Sequence, residues 1–236
     1  MRCPGSFRAA LSCLLLVPLG FIDPAEAQVQ PVVVAILPFQ DLGSYGQDKE
    51  VFQALQFGIP ATIAGELSGH SELRLADPAR LNRTLPDGLG STKRLDAVTA
   101  ARIGKEAGAR YAITGNFADF YGKIRLDARV VDTESGQILK VVSNDPNQDD
   151  RSQLYRIIQT VGHKVLAACS PSVSGASPAA HEDRSIPTDA LNEYSLGLLS
   201  ERTGDWGRAA QHYQKALGRF SDYPDARTAL GRVQSP

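Results

Sequence analysis

A few short constellations in this chain combine residue types that could do chemistry. Gly65-Glu66-Leu67-Ser68-Gly69 approximates the Gly-x-Ser-x-Gly elbow, which presents a nucleophilic serine at a strand-to-helix turn. It misses that spacing by one residue and falls at an expected helix end. Gly88-x-Gly90 could begin a phosphate-cradling turn, yet no strand precedes it, the third glycine is absent and no Gly-Lys-Ser/Thr follows. A plain surface loop is the better reading. His181-Glu182-Asp183 offers metal-ligand types, but a single histidine in a Ser/Ala/Pro-rich tract reads as a solvated charge cluster. His70, His163 and His212 have no companion at ligand spacing, and the last two sit on expected helices as surface or boundary residues. Cys169, at a helix end, reads as a small buried apolar residue rather than a reactive thiol. The residues therefore point to no catalytic group, no cofactor and no metal. The competing class is a hydrolase or nucleotide-dependent enzyme whose site these motifs do not reveal.

The first residues set the compartment. Arg2 and Arg8 precede the apolar run from Ala9 to Phe21, and Ala25-Glu26-Ala27 supplies small residues at both positions that define signal cleavage. The run is too short and too poorly flanked for a membrane span. Lipidation at Cys13 is the weaker alternative, because that cysteine lies inside the apolar run. Cleavage after Ala27 removes Cys3 and Cys13, leaving Cys169 with no partner for an intrachain disulfide. An exported chain without disulfides must draw its stability from a sizeable core, and residues 28–236 are enough to build one. The net charge of −1 and the lack of a basic stripe argue against nucleic acid as a partner.

The clearest structural signal runs from Arg110 to Val142. Ile124, Leu126, Ala128 and Val130 alternate with Arg125, Asp127 and Arg129, the period-two pattern of a strand with one wet face. Asp132 to Gly136 then forms a turn, so three strands follow one another as a meander. The charged face reads as solvated, with a docking surface as the functional alternative. Upstream, Val32 to Phe39 reads as a central strand closed by Pro38. Val51 to Phe57 has helical spacing that Gly58 and Pro60 should interrupt, with a new helix from Pro60 to Ser68. A short strand at Leu73 to Ala76 and a turn or two of helix from Pro78 to Leu85 follow. The next helix, Leu95 to Ala107, should turn Leu95, Val98 and Ile103 inward and stop at Gly108. A last helix opens at Asp149-Asp150 and carries the stripe Leu154, Ile157, Ile158, Val161 and Val165, which must lie on a sheet. The expected class is mixed α+β.

Residues 170–187 read as a linker, rich in Ser, Ala and Pro without apolar periodicity. Beyond it, Asp189 should cap a helix to Arg202, and Trp206 to Phe220 a second. Leu196-Gly197 recurs as Leu230-Gly231, 34 positions on, which is the tetratricopeptide period. This segment, 188–236, resembles one tetratricopeptide repeat and part of another. Leu196, Gly197, Ala209, Tyr213 and Ala216 stand at that family's packing positions, Tyr223-Pro224-Asp225-Ala226 resembles the start of the next unit, and Ser221 departs from the usual proline. The resemblance implies a partner groove lined by Tyr194, Leu198 and Glu201. A repeat array needs about three units before stacking buries enough surface, so this fragment should dock on the preceding domain or on a partner, with Trp206, Leu198 and Leu217 as the candidate contacts.

Residues 28–169 carry a second resemblance. Val34-Ala35-Ile36-Leu37-Pro38-Phe39, then Ile103-Gly104 with Ala109 to Gly115, then Val130 to Ile138, are similar to the periplasmic α/β domain shared by the curli-secretion component CsgG and its relatives and by the amino-terminal domain of TolB. That resemblance implies a mixed sheet covered by helices and a role in envelope assembly, secretion or protein–protein contact. It does not imply the CsgG pore, since no pair of long amphipathic membrane strands is present. The chain thus reads as a signal peptide (1–27), an α/β domain (28–169), a linker (170–187) and a repeat segment (188–236). Its expected role is that of a non-enzymatic periplasmic adaptor or assembly factor in a bacterial envelope, with protein partners and with homo-oligomerisation left open. A soluble component of an outer-membrane secretion complex is the alternative. N-terminal sequencing of the mature protein is expected to begin at Gln28. An intact Met1 species in the cytoplasm, or a lipid on Cys13, would contradict export by this route.

Overall fold

The computed structural model describes residues 30–46, 48–85, 95–145, 149–170 and 185–234. The signal segment with Ala25 and Ala27, the Gly88-x-Gly90 loop, the greater part of the linker and the His181-Glu182-Asp183 cluster lie outside the described residues. The mixed α+β class expected from the sequence is the one observed. Five strands form one sheet in the order β2-β1-β3-β4-β5: β1 (Val32–Asp41), β2 (Leu73–Leu75), β3 (Tyr111–Phe120), β4 (Lys123–Asp132) and β5 (Ile138–Ser143). β1 is parallel to both β2 and β3, whereas β3, β4 and β5 form an antiparallel meander.

Two helical layers sandwich the sheet. α1 (Lys49–Ser68) and α4 (Leu154–Cys169) cover one face, and α3 (Ala97–Glu106), with α2 (Pro78–Thr84) beside it, covers the other. The meander sorts its residues as the alternation requires: Ile124, Leu126, Ala128 and Val130 are fully buried toward α1 and α4, while Arg125 is exposed. All five members of the α4 stripe are buried in the same core. Pro38 does not close β1, which continues to Asp41. The register with β3 shifts between Ile36 and Phe39, because proline has no N–H for the ladder. That irregularity puts Leu37 in the α3 core and Phe39 in the α1/α4 core, although their spacing in a regular strand would place them on one face.

Local punctuation is visible at the caps and turns. Asp77 and Asp96 accept backbone N–H groups at the starts of α2 and α3, and Asp150 does so for the short 3-10 turn at Arg151–Gln153 that leads into α4. Gly108 ends the α3 segment at φ +79°. Val98 departs from expectation. It is 72% exposed, because α3 rests on the sheet through Ala100, Ala101 and Ile103. Asp189 likewise lies in the first turn of its helix rather than at the cap, which is Pro187.

α1 is continuous through Gly58 and Pro60, against the expected break, and its packing supplies the reason. α5 (Thr188–Arg202) lies directly on α1, and α6 (Trp206–Arg219) and α7 (Pro224–Gln234) stack outward from it. A Cβ added at Gly58 would sit 1.9 Å from Ser195 Oγ and 2.7 Å from Ser195 Cβ, so the two helices meet where α1 has no side chain. Proline in a helix interior costs about 3 kcal/mol. Here Phe52, Leu55, Ile59, Ile63 and Leu67 are all buried on that helix, and full burial of one such side chain contributes about 1.5–3 kcal/mol. The apolar core consequently runs without a gap from the sheet to Ala229 on α7.

Two outcomes follow. Gly58→Ala should destabilise the fold by about 1–3 kcal/mol through overpacking; Ser195→Gly in the same chain should recover part of that loss, and urea melts of the single and double variants measure the coupling. Additive losses would mean that the helices do not meet at these residues. The second concerns the Asp132 turn. Its carboxyl is held at about 2, below the ordinary 3.8, chiefly by the Ser135 N–H, then by the Arg110 guanidinium at 2.8 Å and the Glu134 N–H. A depressed carboxyl stabilises the fold above its unfolded value and loses that contribution as pH falls through the folded one. The urea-midpoint gap between wild type and Asp132→Asn should therefore be full near neutrality and shrink as pH falls from 3.8 through about 2. A gap that does not change with pH would mean that the ionised carboxylate does not stabilise the fold.

Candidate functional site

The exposed apolar surface concentrates at the β3–β4 hairpin tip and the loop after β1. Leu42, Tyr45, Phe120 and Tyr121 are 50, 60, 48 and 87% exposed, more than isolated surface residues need. The Tyr45 ring stacks on Tyr121 at 5.7 Å and meets Phe120 at 6.2 Å. This cluster is held from below by backbone and polar groups. Tyr121 and Gly122 adopt φ values of +54° and +85°, the left-handed conformation that a two-residue hairpin turn of this hand requires, and Tyr121 is the one non-glycine among the described residues to do so.

Asp119, 1% exposed, ties the pieces together. Its Oδ1 accepts the Gly122 N–H at 2.8 Å and its Oδ2 faces the Arg151 guanidinium at 3.3 Å. The Asp119 N–H donates to Ser44 Oγ, which in turn donates to Asp41 Oδ1 at 2.6 Å, while the Leu42 and Tyr45 N–H groups donate to the Phe117 and Asp119 carbonyls. Arg151 also donates its backbone N–H to the Gly122 carbonyl and lies over the Phe52 ring. The loop and the hairpin are thus fixed to each other, so the rings need little ordering on contact. A second exposed strip, Ile138, Leu139 and Val141, lies on the free edge strand β5, with Lys140 among them.

The residues singled out on the carboxy-terminal helices are structural in their contacts. Gly197 receives the Tyr213 ring, where a Cβ would stand 2.3 Å from Cε1, and Ala209, Tyr213 and Ala216 are fully buried. Leu196 is half-buried, and its carbonyl accepts the Ser200 hydroxyl. Tyr194 does not line a groove. It is 6% exposed and packs against Tyr213 and Tyr223, so helix packing has taken its ring inward. Burial raises the pKa of all three phenols, which keeps them neutral. Glu201 accepts the Tyr213 hydroxyl at 2.6 Å and the Arg232 guanidinium at 2.7 Å, and only Leu198 of the expected trio offers an apolar surface to an opening. Leu217 is half-buried against the core, and Trp206 is 55% exposed.

The titratable groups weighed for chemistry sit in packing roles. His212 Nδ1 lies 2.8 Å from Glu193 between α6 and α5, and His163 lies 3.6 Å from Glu66, which also accepts from Gln159. The Cys169 thiol is pushed up to about 12 by burial. Ser68 donates to the Gly65 carbonyl at the end of α1, which is not a nucleophile's position. Among the described residues, no three His, Cys, Asp or Glu side chains gather closely enough to hold a metal, and no helix is long and apolar enough to cross a membrane.

No protein-family model matches this chain, and no curated protein matches it in sequence. Among solved structures it is similar to the LpoB C-terminal domain from Escherichia coli, at 16% identity and a TM-score of 0.37, over 50% of this chain and 84% of that one. It is similar to TolB from Acinetobacter baumannii at 18% identity and 0.37, over 69% of this chain and 30% of that one. The hypothetical protein CT253 from Chlamydia trachomatis matches at 13% identity and 0.35, over 60% and 99% respectively.

Proposed function

We propose that this chain is a non-enzymatic adaptor or assembly factor of a bacterial cell envelope, exported to the periplasm by its signal segment, and that it acts by holding protein partners. The observation that carries the reading is the braced aromatic cluster of Tyr45, Phe120 and Tyr121. Exposed tyrosine and phenylalanine rings that already pack on one another are an anchor type common at protein–protein contacts, since they bury much area at small entropic cost. The sequence resemblances of residues 28–169 to CsgG and TolB amino-terminal domains, and of 188–236 to a tetratricopeptide unit, support an assembly role. The paired histidines and the neutral, buried thiol support structural duties for the groups most often used in catalysis.

A photo-crosslinking amino acid placed at Tyr121 in living cells tests this reading, with the same residue at exposed Val98 on α3 as the reference. Discrete protein adducts are expected from position 121, and Tyr45→Ser with Phe120→Ser should remove them while changing stability by about 1 kcal/mol or less, as for other surface substitutions. Adducts at position 121 no more specific than those at position 98 would exclude the aromatic cluster as the contact surface.

A further inference from the structure

A separate cavity of about 320 Å³ opens where β2 ends and β1 continues without a partner on that side. Ile36, Leu75, Leu81, Phe57, Pro60 and Leu198 give it an apolar wall drawn from β1, β2, α2, α1 and α5. Ligand pockets in proteins hold roughly 300–1,000 Å³, with mostly apolar linings and a few polar groups that orient the ligand. The polar groups of this lining are Asn82 and Arg202.

Arg202 stands at the mouth with its guanidinium 5.0 Å from the centre of the Phe57 ring, and it makes no ion pair among the described residues. The charges beside it are already matched, because Glu201 and Arg232 pair with each other at 2.7 Å. Among the described residues, the mouth therefore presents a planar cation without an anionic partner above an apolar chamber. We propose that this cavity binds a single-chain amphiphile with a carboxylate head, a medium-chain fatty acid, whose tail enters between α1 and α2 and whose head pairs with Arg202.

The geometry selects among anionic amphiphiles. A methylene fills about as much space as a water molecule in the liquid, roughly 30 Å³, so the chamber takes a tail on the order of ten carbons and excludes the two long chains of a membrane lipid. The guanidinium fork matches a carboxylate through two parallel N–H bonds, and stacking on Phe57 holds its plane in place. The chain's single tryptophan, Trp206, lines the wider depression that adjoins the mouth together with Phe57, Leu198 and Arg202, and so reports on occupancy.

The test titrates the full mature protein with sodium octanoate, decanoate and dodecanoate below their micellar concentrations, and with decanol, following Trp206 fluorescence and binding heat. Saturable binding is expected. Affinity should rise about fourfold per methylene, the equivalent of about 0.8 kcal/mol, and level off near ten to twelve carbons. Decanol should bind at least about tenfold more weakly than decanoate. Arg202→Met, a surface change that keeps apolar contact with Phe57, should bring decanoate to the level of decanol without altering the melting curve. Ala61→Phe, which fills the chamber, should abolish both. Non-saturable binding, equal affinity for decanoate and decanol in the wild type, or unchanged decanoate binding in Arg202→Met would each overturn the proposal. So would an acidic apolar peptide that binds at the cavity while decanoate does not. The aromatic cluster uses none of these residues, so the crosslinking result at Tyr121 stands or falls separately.

Discussion

The close approach of α5 to α1 at Gly58 and Ser195 is the contact on which the architecture turns. α1 is shared by everything around it. One side rests on β1 and α4, and the other receives the carboxy-terminal helices. A hydrogen in place of a side chain at Gly58 lets the two backbones come within reach of Ser195, whose hydroxyl is satisfied by the Leu191 carbonyl. The cost of a glycine and a proline in mid-helix is met by the row of buried side chains on that same helix. Because the helices meet here, the three carboxy-terminal helices share the core of the α/β sandwich.

That shared core explains why the aromatic and acidic residues of α5 do not form an open groove. Tyr194, Tyr213 and Tyr223 fill the space between three helices, with ring centres of neighbouring pairs 5.1–5.8 Å apart. Glu201 is spent on a phenol and a guanidinium. The opening that remains is displaced toward the edge of the sheet, where β2 is only three residues long and leaves β1 uncovered. Among the described residues, those two geometric facts leave an apolar chamber with Arg202 at its mouth.

At the hairpin tip the same economy runs through a buried charge. Asp119 and Arg151 are brought together from β3 and from the turn before α4; the carboxylate is buried, its Oδ1 accepts the Gly122 N–H, and its Oδ2 is balanced by the partly exposed Arg151 guanidinium at 3.3 Å. The pair adds less to stability than to position. The carboxylate holds the Tyr121-Gly122 turn, while the Asp119 backbone holds the loop after β1, so the rings of both meet at one tip.

Much of this was legible in the sequence. Period-two alternation in β4, the stripe on α4 and the glycine stop at Gly108 follow from local sterics and from burial of one face, which neighbouring residues alone determine. Gly197, Ala209, Tyr213 and Ala216 were singled out by the tetratricopeptide resemblance and not by local spacing; that they are buried, with the Tyr213 ring over Gly197, is a fact of the tertiary structure. Tertiary structure alone decided the rest. Gly58 and Pro60 look like breakers until Ser195, far along the chain, supplies a surface that only an unbranched backbone can meet. Val98 fits an inward stripe by spacing, but the angle at which α3 meets the sheet turns it to solvent. Tyr45 lies too far in sequence from the adjacent Phe120 and Tyr121 to suggest a cluster, and Arg202 gains its place over Phe57 only once α5 docks on α1. Each of these depends on which surfaces meet, a property of long-range packing that no local spacing records.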